Sequence, residues 1–107
     1  MDEEKYENSF QIIAAAGESK SKSMLSIDAA REGDFEKAEK LLEEAKSGLR
    51  TAHGLQFQMI KEEAAEKHVE VNIILIHAQD HLTMAMLTQE RAEEAIQLYK
   101  IIHSLKK

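Results

Sequence analysis

The sequence predicts an all-α fold, and three observations carry that expectation. The 107 residues contain no proline, the residue that most often breaks a helix. The composition is rich in Ala, Glu, Lys and Leu, which are strong helix formers. Apolar residues recur at three- and four-residue steps rather than in alternation. A chain of this length is expected to form a single domain over residues 1–107, with three long antiparallel helices at about 3–32, 34–64 and 72–105.

The first helix is read from Phe10, Ile13, Ala14, Met24, Leu25 and Ala29 as its periodic apolar residues. Gly17, Ser19, Ser21 and Ser23 lower its propensity, so the helix either kinks there or uses small residues for close packing. Gly33-Asp34 is the first boundary. Glycine suits the left-handed position after a helix, and Asp34 can cap the next by accepting a backbone N–H. The second helix carries Phe35, Ala38, Leu41, Leu42, Ala45, Leu49, Ala52, Leu55 and Ile60 on one face, with charges on the other. The turn at 29–38 also looks like the junction in tetratricopeptide repeats, but those recur every 34 residues and no second copy is present. Charge rises and the apolar pattern fades from about Glu62 to Val71, and Asn72 is placed to cap the third helix.

The third helix differs from the others. Between Ile73 and Leu87 its apolar residues lie all the way round, which requires cover on several sides. Two helices of the same chain cover about half of that surface, so self-association through this helix follows from the pattern.

Charge and composition exclude several functions. Fourteen Lys and Arg against 20 Asp and Glu give a net charge of −6, which disfavours nucleic acid and anionic lipid as partners. With no cysteine there is no disulfide, thiolate metal site or thiol nucleophile. No undiluted apolar run exceeds five residues, and the bulkiest is Ile73-Ile74-Leu75-Ile76, far short of the roughly 20 residues of a membrane span. The acidic start, Met1-Asp2-Glu3-Glu4, lacks the order of a signal peptide, so a cytoplasmic protein is expected.

The chemistry sits in His77-Ala78-Gln79-Asp80-His81, a polar island inside the most apolar segment. Burying such groups costs energy unless they are paired or used. His77 and His81 lie one turn apart on one face, while Asp80 falls on the stripe of Ile73, Ile76, Thr83 and Leu87, a seam-like spacing. Several readings stay open on spacing alone. The two histidines could hold zinc in a metal-dependent hydrolase, although Ala78 stands where the zincin motif has glutamate. No histidine has glutamate three residues before it, which argues against a di-iron bundle. A neutral imidazole could accept a phosphoryl group, with Gln79 and His81 donating to its oxygens. The island could instead be a polar layer that fixes the register of a non-catalytic helical interaction module. Copies of Asp80 meeting in an oligomer would repel unless a cation or protons lay between them. Of the other histidines, His53 reads as a core or interface residue, His68 as solvated, and His103 as a last-turn residue suited to the helix dipole. Met84 and Met86 read as adaptable core filler.

Ile-Leu-Ile-His-Ala-Gln-Asp-His-Leu at 74–82 resembles the active-site signature of the lactose/cellobiose-type enzyme IIA of the bacterial phosphoenolpyruvate-dependent sugar phosphotransferase system. Ala16-Gly17-Glu18, the turn at 33–38, and Ala52-His53 with Gln56 are similar to the family pattern in the same order. The resemblance implies a homotrimer forming a nine-helix bundle. It implies that His77 accepts a phosphoryl group from the histidine-containing phosphocarrier protein and passes it to a cysteine of enzyme IIB, during uptake of a β-linked disaccharide such as cellobiose, chitobiose or lactose. It further implies that His81 and Gln79 help to form the phosphate site, and that Asp80 lies at the trimer axis, where it can hold Mg2+. The chain departs from the pattern at Leu82-Thr83-Met84, where the family usually reads Leu-Met-Thr. It departs also at Phe57, often threonine, and at Lys20-Ser21, in place of a small residue and arginine.

Overall fold

Two helix-ending turns, built alike, set the topology. The computed structural model describes residues 4–106 and contains three helices, α1 (Glu4–Arg31), α2 (Phe35–Ala64) and α3 (Ile73–Ser104). The expectation that the first helix begins at about residue 3 falls outside the described residues. At the end of α1, Gly33 N–H bonds to Ala30 O at 3.0 Å and Asp34 N–H to Ala29 O at 2.9 Å, with Gly33 at φ 85°. This is the two-bond closure that a left-handed residue permits. Asp34 then caps α2 by accepting from Lys37 N–H at 3.2 Å. At the end of α2 the same pair of bonds recurs, Glu66 N–H to Glu63 O and Lys67 N–H to Glu62 O, but the left-handed residue is Glu66 at φ 64°. A glutamate there bears a steric cost that glycine would not. Asn72 caps α3 through its Oδ1, which accepts from Leu75 N–H at 2.9 Å.

Cross-helix pairs give the directions. Lys100 meets Glu39 at 3.0 Å and Lys46 meets Glu93 at 3.3 Å, so α2 and α3 are antiparallel. Ser19 Oγ donates to Ala45 O at 2.7 Å and Lys22 meets Glu44 at 3.2 Å, so α1 and α2 are antiparallel too. The bundle runs up, down, up, and α1 and α3 are parallel; Arg31 Nε donates to the Tyr99 hydroxyl at 3.2 Å, a bond that raises the guanidinium pKa further. The molecule measures 60 × 24 × 18 Å.

The core has two clusters along this axis. One joins Ile12, Ala16, Leu49, Ala52, Ala78, Leu82 and Ala85, under the polar island. The other joins Ala29, Ala30, Ala38, Leu42, Ala92 and Ile96 at the far end.

The sequence reading of α1 needs correction. Phe10, Met24 and Leu25 are at least half exposed, whereas Ser9, Ser19, Ser23 and Ser26 are buried with Ile12, Ala16, Ala29 and Ala30. The helix is continuous through Gly17. Of the two expectations for this segment, close packing is the one realised. A Cβ on Gly48 would lie 3.4 Å from Ser19 Cβ, so α1 and α2 approach through small side chains. Large apolar residues are exposed on α3 as well, at Ile73, Ile76, Met84, Leu87, Leu98, Ile101, Ile102 and Leu105.

Candidate active site

Asn72 starts α3, and five residues later the helix presents His77. Ala78, Leu82 and Ala85 turn into the core and are at most 1% exposed, which fixes the rotation of the helix. Given that rotation, His77 and His81 stand on the flank of α3 next to α1. His77 is exposed and His81 half-buried. Their Nε2 atoms lie 3.0 Å apart, and the rings meet edge to face, with centroids 4.4 Å apart at 80°. Only one of the two nitrogens can carry the bridging proton, so the other offers a lone pair to it.

The island is not buried within the chain, contrary to the cost argument made from sequence. His77 and Asp80 are both exposed. The physical reason is that the core-facing stripe of α3 is one residue wide at this level, and Ala78 and Leu82 fill it.

The structure separates the four polar residues. His77 and His81 are together. Gln79 lies about 160° from His77 around the helix, on the flank next to α2. There its Oε1 accepts a hydrogen bond from Gln56 Nε2, at the floor of a groove lined by Met59, Ile60, Val69, Val71 and Leu75. With Oε1 so engaged, Gln79 offers its amide N–H groups outward. Asp80 points away from the core, on the exposed apolar stripe, and no ion pair reaches it among the described residues. The Thr83 hydroxyl on that stripe is turned back to Gln79 O at 3.1 Å. Gln56 entered the sequence reading only as part of a resemblance. A glutamine in a helical pattern gives no signal of its own, and its role appears only when α2 meets α3.

Among the described residues no group of three or more His, Cys, Asp and Glu is placed to hold a metal ion. Nor is any described helix long and apolar enough to cross a membrane. His53 is half-buried on α2, His68 is exposed in the connection, and His103 packs at the opposite end of the bundle.

A three-helix chain that presents an exposed imidazole pair carries a nitrogen nucleophile able to accept a phosphoryl group, the chemistry of a phosphocarrier protein. Residues 7–100 match the family described as PTS system, lactose/cellobiose specific IIA subunit, and the chain belongs to that family. It is 41% identical over 102 residues to the lichenan-specific phosphotransferase enzyme IIA component of Bacillus subtilis, covering 95% of this chain and 93% of that protein. Its structure is similar to the cellobiose-specific enzyme IIA from Bacillus anthracis, with TM-score 0.90, 35% identity and coverage of 92% and 90% of the two chains. It is similar also to IIA(chitobiose) solved in complex with HPr from the Escherichia coli phosphotransferase system, with TM-score 0.79, 30% identity and coverage of 91% and 94%. The protein is thus a lactose/cellobiose-type IIA component of the phosphotransferase system.

Proposed function

We propose that His77 is the phosphoryl acceptor and that it reacts through Nε2. The observation that carries this reading is the 3.0 Å approach of the His77 and His81 Nε2 atoms on an exposed flank. With the bridging proton on His81, His77 Nε2 holds an in-plane lone pair. That pair forms a bond to phosphorus as the bond from phosphorus to the donor imidazole of the histidine-containing phosphocarrier protein breaks, its electron pair staying with the donor. The His81 N–H, released from His77, then donates to a phosphoryl oxygen. Attack by a cysteine thiolate of enzyme IIB reverses the sequence, and the electron pair returns to His77. Positioning and charge stabilisation suffice for such a transfer. The apolar surface around His77 suits two docking partners that bind in turn. The transported sugar is proposed to be a β-linked disaccharide of the cellobiose, chitobiose or lactose kind, in keeping with the relatives. The protein itself would work in the cytoplasm.

Gln79 cannot serve His77 of its own chain from the opposite flank. A threefold arrangement would reconcile this with the role implied for it. If Asp80 faces the axis, His81 lies about 100° to one side of it and Gln79 about 100° to the other. Adjacent copies then line one cleft with His77 and His81 from one chain and Gln79 from the next, and Gln56 keeps the Gln79 N–H groups directed outward. Three Asp80 carboxylates at that axis fit the oxygen-rich shell that Mg2+ takes, with water completing it.

The test is intact-mass analysis after incubation with phosphoenolpyruvate, enzyme I and the phosphocarrier protein. Wild type is expected to gain one acid-labile phosphoryl group per chain and His77→Gln none. In His81→Ala the adduct forms about 10²-fold more slowly, the usual cost of one lost oxyanion donor. An adduct that persists in His77→Gln overturns the assignment.

A further inference from the structure

We propose that His77 and His81 form a chelate for a divalent transition cation, Cu2+ or Ni2+, and that this cation and the phosphoryl group exclude each other. The geometry points to a two-imidazole chelate. The Nε2 atoms lie 3.0 Å apart in the free, hydrogen-bonded pair, so small ring rotations bring both to about 2 Å from one ion. Imidazole ligands suit Cu2+ and Ni2+, and Cu2+ stands above Zn2+ in the general order of affinity. Both rings stand on one helix face one turn apart, so the helix itself holds the pair near its bound spacing, and His77 is open to solvent.

The chemistry balances without an added reactant. In the free pair one proton bridges the two Nε2 atoms. The cation takes its place as His81 moves that proton to its own Nδ1, so both Nε2 lone pairs bind metal and no net proton is released. Neither Ala78 nor Leu82 competes for the ion, and water fills its remaining positions. The exclusion rests on the phosphoryl-acceptor reading: the nitrogen that would bond to phosphorus is the one that holds the metal. The chelate itself does not depend on that reading.

Untagged chain titrated with NiCl2 by calorimetry near neutral pH provides the test. His53, His68 and His103 set a background that is measured in the double variant His77→Gln/His81→Gln. Wild type is expected to bind one Ni2+ per chain, and either single variant to bind about 10²-fold more weakly, because two-point attachment becomes one-point. Circular dichroism verifies that each variant remains helical. Wild-type affinity no greater than that of the double variant overturns the chelate. With the phosphorylated chain, Ni2+ binding is expected to fall to the level of His77→Gln. A chain that carries the adduct on His77 and still binds Ni2+ with wild-type affinity overturns the exclusion. If no adduct forms on wild type while Ni2+ binds as described, the phosphoryl reading fails and the chelate stands.

Discussion

At Gly33 the backbone lies at φ 85°, and a Cβ there would come within 3.0 Å of His103 Cε1. The ring cannot easily give way. Its Nε2 lies 3.1 Å from Arg31 O, and a carbonyl only accepts, so Nε2 carries a proton and donates to one of the last carbonyls of α1. The ring also meets Phe35 edge to face, at 5.5 Å between centroids. The end of α3 thus closes the turn between α1 and α2. Gly33→Ala is therefore expected to cost about 2 kcal/mol, from left-handed strain plus the displaced imidazole. Urea unfolding at fixed protein concentration measures it. An effect below about 0.5 kcal/mol would mean that the ring moves aside freely.

At the scale of the helix, α1 is where composition misleads. Phe10, Met24 and Leu25 face outward, and apart from Ile12 its buried residues are serine and alanine. Ser23 and Ser26 have buried hydroxyls without a hydrogen-bond partner among the described residues, whereas Ser19 reaches Ala45 O. An unpaired buried hydroxyl is unfavourable, so these serines are there for size. Ser23→Ala is expected to stabilise the protein by about 1 kcal/mol, and Ser23→Leu to destabilise it by about 1–3 kcal/mol. If Ser23→Ala destabilises instead, the hydroxyl has a partner such as a bound water. This contrast also explains what the sequence made legible. α2 is amphipathic in the ordinary sense, and its buried residues Ala38, Leu42, Ala45, Leu49 and Ala52 are all on the expected face. The caps at Asp34 and Asn72 were legible because a short polar side chain before an apolar run has one local use. The rotation of α1 was not, because a helix that packs through small residues leaves its apolar ones for an outer surface. The histidine pair could be read from its one-turn spacing, but the direction of Gln79 depends on Gln56, 23 residues away on another helix.

For the whole molecule the question is what covers the outer face of α3. Ile73, Ile76, Asp80, Thr83 and Leu87 follow one another at steps of three and four, as in a coiled-coil seam, and Leu98, Ile101 and Leu105 extend the exposed stripe. Phe10, Met24 and Leu25 of α1 are exposed too. So many exposed large apolar side chains along one helix are unusual on a chain that stays alone in water. The proposed homotrimer covers them and places Asp80 at the axis, where it is the one acidic residue in the first half of the seam. Two substitutions on this stripe should then act in opposite directions. Leu87→Asp adds a second ring of carboxylates to an apolar layer and is expected to yield monomer in sedimentation velocity at micromolar concentration. Asp80→Asn removes mutual repulsion among three carboxylates and is expected to raise the thermal midpoint in the absence of divalent cation. Wild type is expected to gain stability on addition of Mg2+, because an ion that binds only the assembled form shifts unfolding by mass action, and Asp80→Asn is expected to show no such gain. A wild-type protein that sediments as monomer would remove the axis and the shared cleft together. A trimer in which Asp80→Asn lowers the midpoint would keep the cleft but place Asp80 away from its copies. The proposed part for Gln79 in phosphoryl transfer stands or falls with that first outcome, since only a neighbouring chain brings it to His77.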